Sequence, residues 1–274
     1  MKKYIAGFIG AGNMGGIFAK AVTLKCSGAK VAVSCSSEKS TLEAAEKYGC
    51  TASTPDEIAK NSRFVFLGIK PQISNQVLGK IKSALSADKD VIAVSMMAGI
   101  DLSSLKQMCG LDKIIRIMPN TPCSVGKGMT QVCCTDAVSG EELSQFCDLI
   151  ASTGLIDIVE EKYIDCACAV SGCGPAFAYI FIEALSDGAV KCGLPRDKAY
   201  EYASQMLIGA ASLALESGKN PGELKDAVCS PGGSTISGVS ALEKGNFRAS
   251  VIDAVCSSFE KTKELGKKIN FPEP

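Results

Sequence analysis

The 274-residue sequence contains no histidine. The commonest general acid or base is therefore absent, and any proton chemistry must use hydroxyls, carboxylates, lysine, cysteine, tyrosine or water. An excess of charge of one sign is missing too. Twenty-nine Lys and Arg balance twenty-nine Asp and Glu, which removes the electrostatic case for a nucleic acid or an anionic membrane surface as partner. A small-molecule substrate fits better. No uninterrupted apolar run is expected to reach bilayer length. The opening Met1-Lys2-Lys3-Tyr4 leads into a short apolar segment that ends in glycines rather than into the apolar stretch of an export signal. The expected location is the cytoplasm, with no membrane association.

Cysteine is plentiful, at 14 residues, but repeated Cys-x-x-Cys pairs are lacking. In a long chain without an expected export signal this favours reduced thiols over a disulfide framework. The closest clusters, Cys133-Cys134 and Cys166-Ala167-Cys168, have no histidine to complete a mixed site, so no metal is expected.

Short apolar runs alternate with amphipathic stretches through the first part of the chain. Runs at 4–9, 30–35 and 63–69 are followed by helical patterns at 13–26, 38–48 and 72–85. Further runs at 91–96, 114–118, 129–134 and 155–159 surround a helical 140–151. This repetition predicts an α/β domain with a mostly parallel, doubly wound sheet over residues 1–160. From 163 onward only helical spacing is found, at 176–191, 198–216, 223–228, 235–243 and 249–267, so residues 161–274 are expected to form an all-helical domain. Apolar positions there, among them Ile180, Ile182, Leu185, Met206, Leu207 and Leu213, exceed what a lone helical appendage would bury, and a homodimer through these helices is expected.

Gly10-Ala11-Gly12-Asn13-Met14-Gly15 stands where the first strand meets the first helix. Gly10 permits a tight turn, Gly12 lets a pyrophosphate approach the backbone, and Gly15 allows close packing of helix on strand, while the helix N-terminus supplies free N–H groups. In this context the motif is a Rossmann-type dinucleotide fingerprint. The second strand ends in Ser34-Cys35-Ser36-Ser37, without the acidic residue that would bond a ribose hydroxyl. Ser36 and Ser37, with Lys39 nearby, favour NADPH; Glu38 reaching the ribose would instead select NADH. Ile69, Lys70 and Pro71, at the carboxyl end of a later strand, are expected to face the same crevice, with Lys70 equally readable as a solvated residue.

Three further segments add specificity: 116–122 (RIMPNTP), 171–176 (SGCGPA) and 225–236 (KDAVCSPGGSTI). In the last, Pro231, Gly232 and Gly233 end one helix, and Ser234 and Thr235 begin another whose unpaired N–H groups suit a carboxylate. The same arrangement also describes an ordinary helix start after a glycine-rich turn. Together with the fingerprint, and in this order, the segments resemble pyrroline-5-carboxylate reductase over nearly the whole chain. The resemblance implies NAD(P)H-dependent reduction of the cyclic imine 1-pyrroline-5-carboxylate to proline, the last step of proline biosynthesis. It assigns Thr235 to the ring nitrogen, Gly233 and Ser234 to the carboxylate, and Glu161 to the neighbourhood of the substrate amine. It also sets Ala98, Gly99 and Asn120 around the nicotinamide. Glu161 could instead complement a helix dipole, and Asn120 could simply hold its own turn. Assembly of dimers into a larger ring is a further expectation. Cys173 departs from the serine common at that position in the family.

Hydride delivery to an iminium carbon needs no strong side-chain base, which agrees with a chain lacking histidine. A 3-hydroxyacid dehydrogenase would need a lysine where this sequence has Ala178, and a non-catalytic dinucleotide sensor would have no use for the Gly232–Thr235 loop.

Overall fold

The computed structural model describes residues 2–267; residues 268–274, the end of the expected helical domain, lie outside them. Backbone contacts divide the chain into two compact units. One comprises the described residues up to Cys173 together with those from Ser258 onward, the other Gly174–Ser257.

The first unit is built on an eight-stranded sheet: β1 (Tyr4–Ile9), β2 (Val31–Ser34), β3 (Thr51–Ala52), β4 (Ser62–Leu67), β5 (Ile92–Ser95), β6 (Ile114–Met118), β7 (Gly128–Cys134) and β8 (Gly154–Ile158). Their spatial order is β3-β2-β1-β4-β5-β6-β7-β8. Every neighbouring pair is parallel except β6 and β7. The order reverses between β1 and β4, the switch point at which doubly wound sheets bind ligands. The doubly wound α/β core is thus as the hydrophobic rhythm predicts.

Helices α1 (Asn13–Lys25), α2 (Glu38–Tyr48), α3 (Pro55–Asn61), α4 (Ser74–Ser86), α5 (Leu102–Cys109) and α6 (Gly140–Ile150) connect the strands. Because side chains alternate across a strand, Phe64 and Phe66 of β4 enter one core, and Val65 and Leu67 the other. In the first core Phe8 stacks on Phe66 with ring centroids 4.3 Å apart, and Phe146 approaches the same ring. The sequence pattern missed β3, α3 and α5, which are too short to show a period. Their ends are nevertheless chemically marked: Thr54 and Asp101 cap α3 and α5, and Gly110 closes α5 at φ +65°.

Helix α7 (Ile164–Ser171), the helix expected to begin at Glu161, starts three residues later, after a 3-10 turn, and belongs to the first unit. Its Ile164 and Cys168 pack with Met118 of β6 and Cys133 of β7. With the 3-10 turn Glu161–Tyr163 before it and α8 after it, it forms a helical stretch, Glu161–Lys191, that is long and apolar enough to cross a bilayer by length and composition. It is not an uninterrupted apolar run of that length. Single polar residues such as Ser171 and Glu183 interrupt the run without lowering its mean hydropathy, which reaches 1.5, and only 11% of that window is buried.

The second unit contains α8 (Gly174–Lys191), α9 (Arg196–Ser217), α10 (Pro221–Ala227), α11 (Ser234–Lys244) and the beginning of α12 (Phe247–Lys267). Helices α8 and α9 pack together, and Phe181 meets Phe247 at 5.6 Å. Between Gly174 and Ser257 only Ser186, Ala199 and Ala203 are buried. Tyr179, Ile180, Met206, Ile208 and Leu213 are all exposed. A bundle with so little interior leaves its apolar side chains uncovered.

All fourteen cysteines carry free thiols. Burial pushes Cys109 and Cys133 from the ordinary 9.0 up to about 12. A thiol whose pKa rises on folding stabilises the fold below its unfolded value. That stabilisation disappears as pH climbs, because the unfolded chain releases the proton first. Urea midpoints measured under reducing conditions should therefore fall between pH 9.0 and about 12; a flat profile would contradict the burial of these thiols.

Candidate active site

The first glycine of the fingerprint leaves β1 at φ +93°, and its N–H donates to the Ser34 carbonyl at 2.8 Å. Gly68, just past β4, donates to the Ile9 carbonyl at 2.9 Å. Cβ atoms on either Gly15 or Gly68 would be driven into the Gly10 carbonyl oxygen, and one on Gly10 would stand 2.5 Å from the Gly68 carbonyl oxygen. Three backbones thus meet with no room for a side chain. Gly12 is different, since a Cβ there would meet nothing within 4 Å. Packing within the chain does not require this glycine, so the open space is available to a ligand.

Gly12 is also the N-cap of α1. No side chain caps that helix, and its first turn has no acidic residue. Its leading N–H groups, from Asn13 and Met14 onward, form a positive end suited to pyrophosphate.

Gly10, Ala11 and Gly12 line a cavity of about 770 Å³ together with Ser36, Ile69 and Lys70. Pro71 opens the 3-10 turn that follows. Ser37 is occupied otherwise: its hydroxyl accepts the Ser40 N–H at 3.2 Å, and its own N–H donates to the Ser40 hydroxyl, a capping box for α2. Glu38 lies outside the cavity wall, whereas Glu43 is part of it. Lys39 stands 4.0 Å from Glu43.

The sequence reading missed two helix faces in this wall. Ser40, Glu43, Ala44 and Lys47 come from α2, and Ile73, Gln76, Val77 and Lys80 from the start of α4. Both sets follow the i, i+3, i+4, i+7 spacing of one helical face. That periodicity was visible in the sequence, but it does not distinguish a face on a cavity from a face on a core. Lys47, Lys70 and Lys80 bring three cations against the single carboxylate of Glu43, a balance that suits a phosphate-rich ligand.

In the helical unit, Gly232 turns at φ +71° and Gly233 is the N-cap of α11. This helix, like α1, has neither a side-chain cap nor an acidic residue in its first turn. Ser237 is turned back, its hydroxyl donating to the Gly233 carbonyl at 3.1 Å. Ser234 and Thr235 are exposed. Where α2, α3, α5, α6 and α10 close their N-termini with their own side chains, α11 leaves its leading donors without a side-chain cap, beside two exposed hydroxyls.

A family model described as Pyrroline-5-carboxylate reductase dimerisation matches residues 161–265, and one described as NADP oxidoreductase coenzyme F420-dependent matches residues 5–99. The chain is 42% identical over 265 residues to a pyrroline-5-carboxylate reductase of Pisum sativum, with 96% of each chain covered. It is 39% identical over 274 residues to that of Escherichia coli (strain K12), covering 97% of this chain and 100% of that one. The crystal structure of Plasmodium falciparum pyrroline carboxylate reductase with NADP bound matches with a TM-score of 0.86 at 33% identity, covering 97% of this chain and 99% of that one. This chain belongs to the pyrroline-5-carboxylate reductase family.

The remaining residues that resemblance to this family singled out have firm partners within the chain. The Asn120 amide donates to the Ser171 carbonyl at 2.9 Å, and its oxygen accepts the Met129 N–H at 3.0 Å, so it ties its own turn to the end of α7. Glu161 Oε1 accepts the Leu102 N–H at 2.6 Å and faces Arg116 Nη1 at 3.2 Å. Arg116 Nη2 donates to Asp165 at 2.5 Å. Arg116 lies in one of the family's segments, but no local pattern assigns it a role. Its carboxylate partners lie 45 and 49 residues away, beyond any local pattern. Burial would raise the Asp101 carboxyl, but hydrogen bonds from Ser104 and Ser103, with the charge of Arg116, hold it below the usual carboxylate range.

The two kinds of glycine in the fingerprint should behave differently. Gly15→Ala should destabilise the fold by about 1–3 kcal/mol, the usual cost of overpacking. Gly12→Ala should unfold like wild type while losing at least about tenfold in NADPH affinity, since only the approach of the ligand is blocked. Urea unfolding and fluorescence titration separate the two, and equal stability losses would refute the distinction.

Proposed function

We propose that this protein catalyses the NADPH-dependent reduction of 1-pyrroline-5-carboxylate to L-proline, in the cytoplasm, as the last step of proline biosynthesis. The observation that carries the reading is the start of α11: a glycine N-cap, donors unclaimed by any side-chain cap, and the adjacent hydroxyls of Ser234 and Thr235, in a chain of this family. The substrate carries a carboxylate and an imine nitrogen, and this loop offers a partner for each.

The dinucleotide, when bound, supplies the hydride. Gly10 and Gly15 shape the turn, and the backbone N–H groups of Ala11, Gly12, Asn13 and Met14, with the helix dipole, would hold its pyrophosphate. Ser36 borders the ribose end, and Ser37 beside it caps the helix that follows. The absence of an acidic residue at the end of β2, together with Lys47 and Lys80 in the cavity wall, supports NADPH over NADH. Ile69, Lys70 and Pro71 flank the cofactor, and Ala98, Gly99 and Asn120 border the nicotinamide. The backbone of Gly233 and Ser234 receives the substrate carboxylate, and Thr235 orients the ring nitrogen. A protonated imine is already electrophilic, so orientation and exclusion of water carry the catalysis, and no histidine is needed.

The helical region assembles the protein into a homodimer, and dimers assemble further into a ring. The sparse interior of the second unit and the apolar stretch Glu161–Lys191 support this reading.

Thr235→Ala should lower imine turnover by about 10²–10³-fold, the scale seen when one positioned transition-state donor is removed. NADPH affinity should remain nearly unchanged. The measurement is NADPH oxidation with pyrroline-5-carboxylate, beside the six-membered imine and a 3-hydroxyacid. Well-folded protein without imine-dependent turnover would overturn the assignment. For the assembly, light scattering should give a mass at least twice that of one chain, and Ile180→Glu should shift it downward. A monomeric wild-type protein at micromolar concentration would refute the dimer.

A further inference from the structure

The turn between β5 and α5 is braced from two directions within the first unit. Gly99, at φ +75°, lies backbone to backbone against the end of α12. A Cβ on it would stand 2.8 Å from Gly266 N and 3.1 Å from the Thr262 carbonyl oxygen. The second brace is ionic. Glu161 Oε1 accepts the Leu102 N–H at 2.6 Å while Arg116 Nη1 donates to it at 3.2 Å, and Nη2 holds Asp165.

Arg116 is 2% exposed, and its Nε has no hydrogen-bond partner. A guanidinium buried between two carboxylates seldom stabilises a fold more than apolar side chains of similar volume would, because all three charges lose hydration. An unpartnered Nε adds to that cost. What the arrangement does supply is a fixed position for Glu161. Glu161 in turn takes one of the orphan amides of α5, while Asp101 takes the Ser104 N–H of the same turn at 2.7 Å.

We propose that Arg116 and Glu161 are positioning residues for the hydride transfer: through the Leu102 N–H they fix the turn that carries Ala98 and Gly99, against which the nicotinamide ring is held. The inference rests on the proposed placement of Ala98 and Gly99 beside the nicotinamide. It gives Glu161 a task other than contact with the substrate amine.

Two substitutions interrogate the link from opposite ends. Glu161→Ala removes the acceptor. Leu102→Pro removes the donor at the first residue of α5, where proline is tolerated, and Leu102→Ala, which keeps the N–H, is the control for the lost packing of the side chain. Asp101 before it is already extended, at φ −80° and ψ 167°, as a residue preceding proline must be. The probes are NADPH and 2′,5′-ADP, which lacks the nicotinamide.

In both variants NADPH should bind more weakly while 2′,5′-ADP binds as to wild type. Turnover should fall about 10²-fold, the scale of a misplacement near 1 Å. Amide exchange at Gly99 in the cofactor-free protein should accelerate. Arg116→Lys, which keeps the charge but not the fork, should lie between wild type and Arg116→Met.

Folded variants with the wild-type ratio of NADPH to 2′,5′-ADP affinity would overturn the proposal. So would parallel losses for both ligands, the mark of general loosening. If Glu161→Ala does not fold, Leu102→Pro decides alone. Failure of the parent reading is distinguishable: wild-type protein would then lack imine turnover, whereas the affinity ratio and amide exchange would still report on the turn.

Discussion

The first unit is organised around the meeting of three backbones at Gly10, Gly15 and Gly68. Two parallel strands and one helix converge there at distances that leave no space for a Cβ. This contact forces the chain leaving β1 to turn sharply and brings the start of α1 onto the sheet at its switch point. The space beside Gly12 is a product of the same geometry. A side chain at any of the three interlocked positions would move the helix start, and with it every N–H group aimed at the ligand.

Helix N-termini in this chain handle their open donors in different ways. Several are closed by the chain's own side chains: Ser37 with Ser40, Ser139 with Glu142, Asp101 with Ser104. At α1 and α11 a glycine occupies the N-cap and the donors stay open. The buried Arg116 is the opposite extreme, a charge withdrawn from water and consumed within the fold. Its two carboxylates join β6 to the turn before α7 and to α7 itself, while Asn120 secures the far end of that helix through the Ser171 carbonyl.

How far the sequence reveals these features depends on their range along the chain. The fingerprint, the strand rhythm and the Gly232-Gly233-Ser234-Thr235 loop are local, and each follows from residues within a few positions of one another. The 3-10 turns and the short helices α3 and α5 lack the length to establish a period, although Thr54, Asp101 and Gly110 mark the ends of the two helices. The cavity wall contributed by α2 and α4 was present as helical spacing without any sign of what it faces. Ser37 illustrates the converse: its place after β2 suggested a ligand, but the serine three residues later claims its hydroxyl. The Arg116 pairings join positions brought together only by the completed sheet, so no pattern within one segment could show them.

The scarcity of buried side chains between Gly174 and Ser257 has a thermodynamic consequence. Helices that bury almost nothing among themselves gain little free energy to set against the entropy of ordering them. If their apolar surface is covered by another copy of the chain, the folding of this unit becomes a bimolecular equilibrium, and its stability rises with the logarithm of protein concentration. Dilution would then act on this unit as a denaturant, while the sheet, with two filled cores of its own, would respond only to conventional ones.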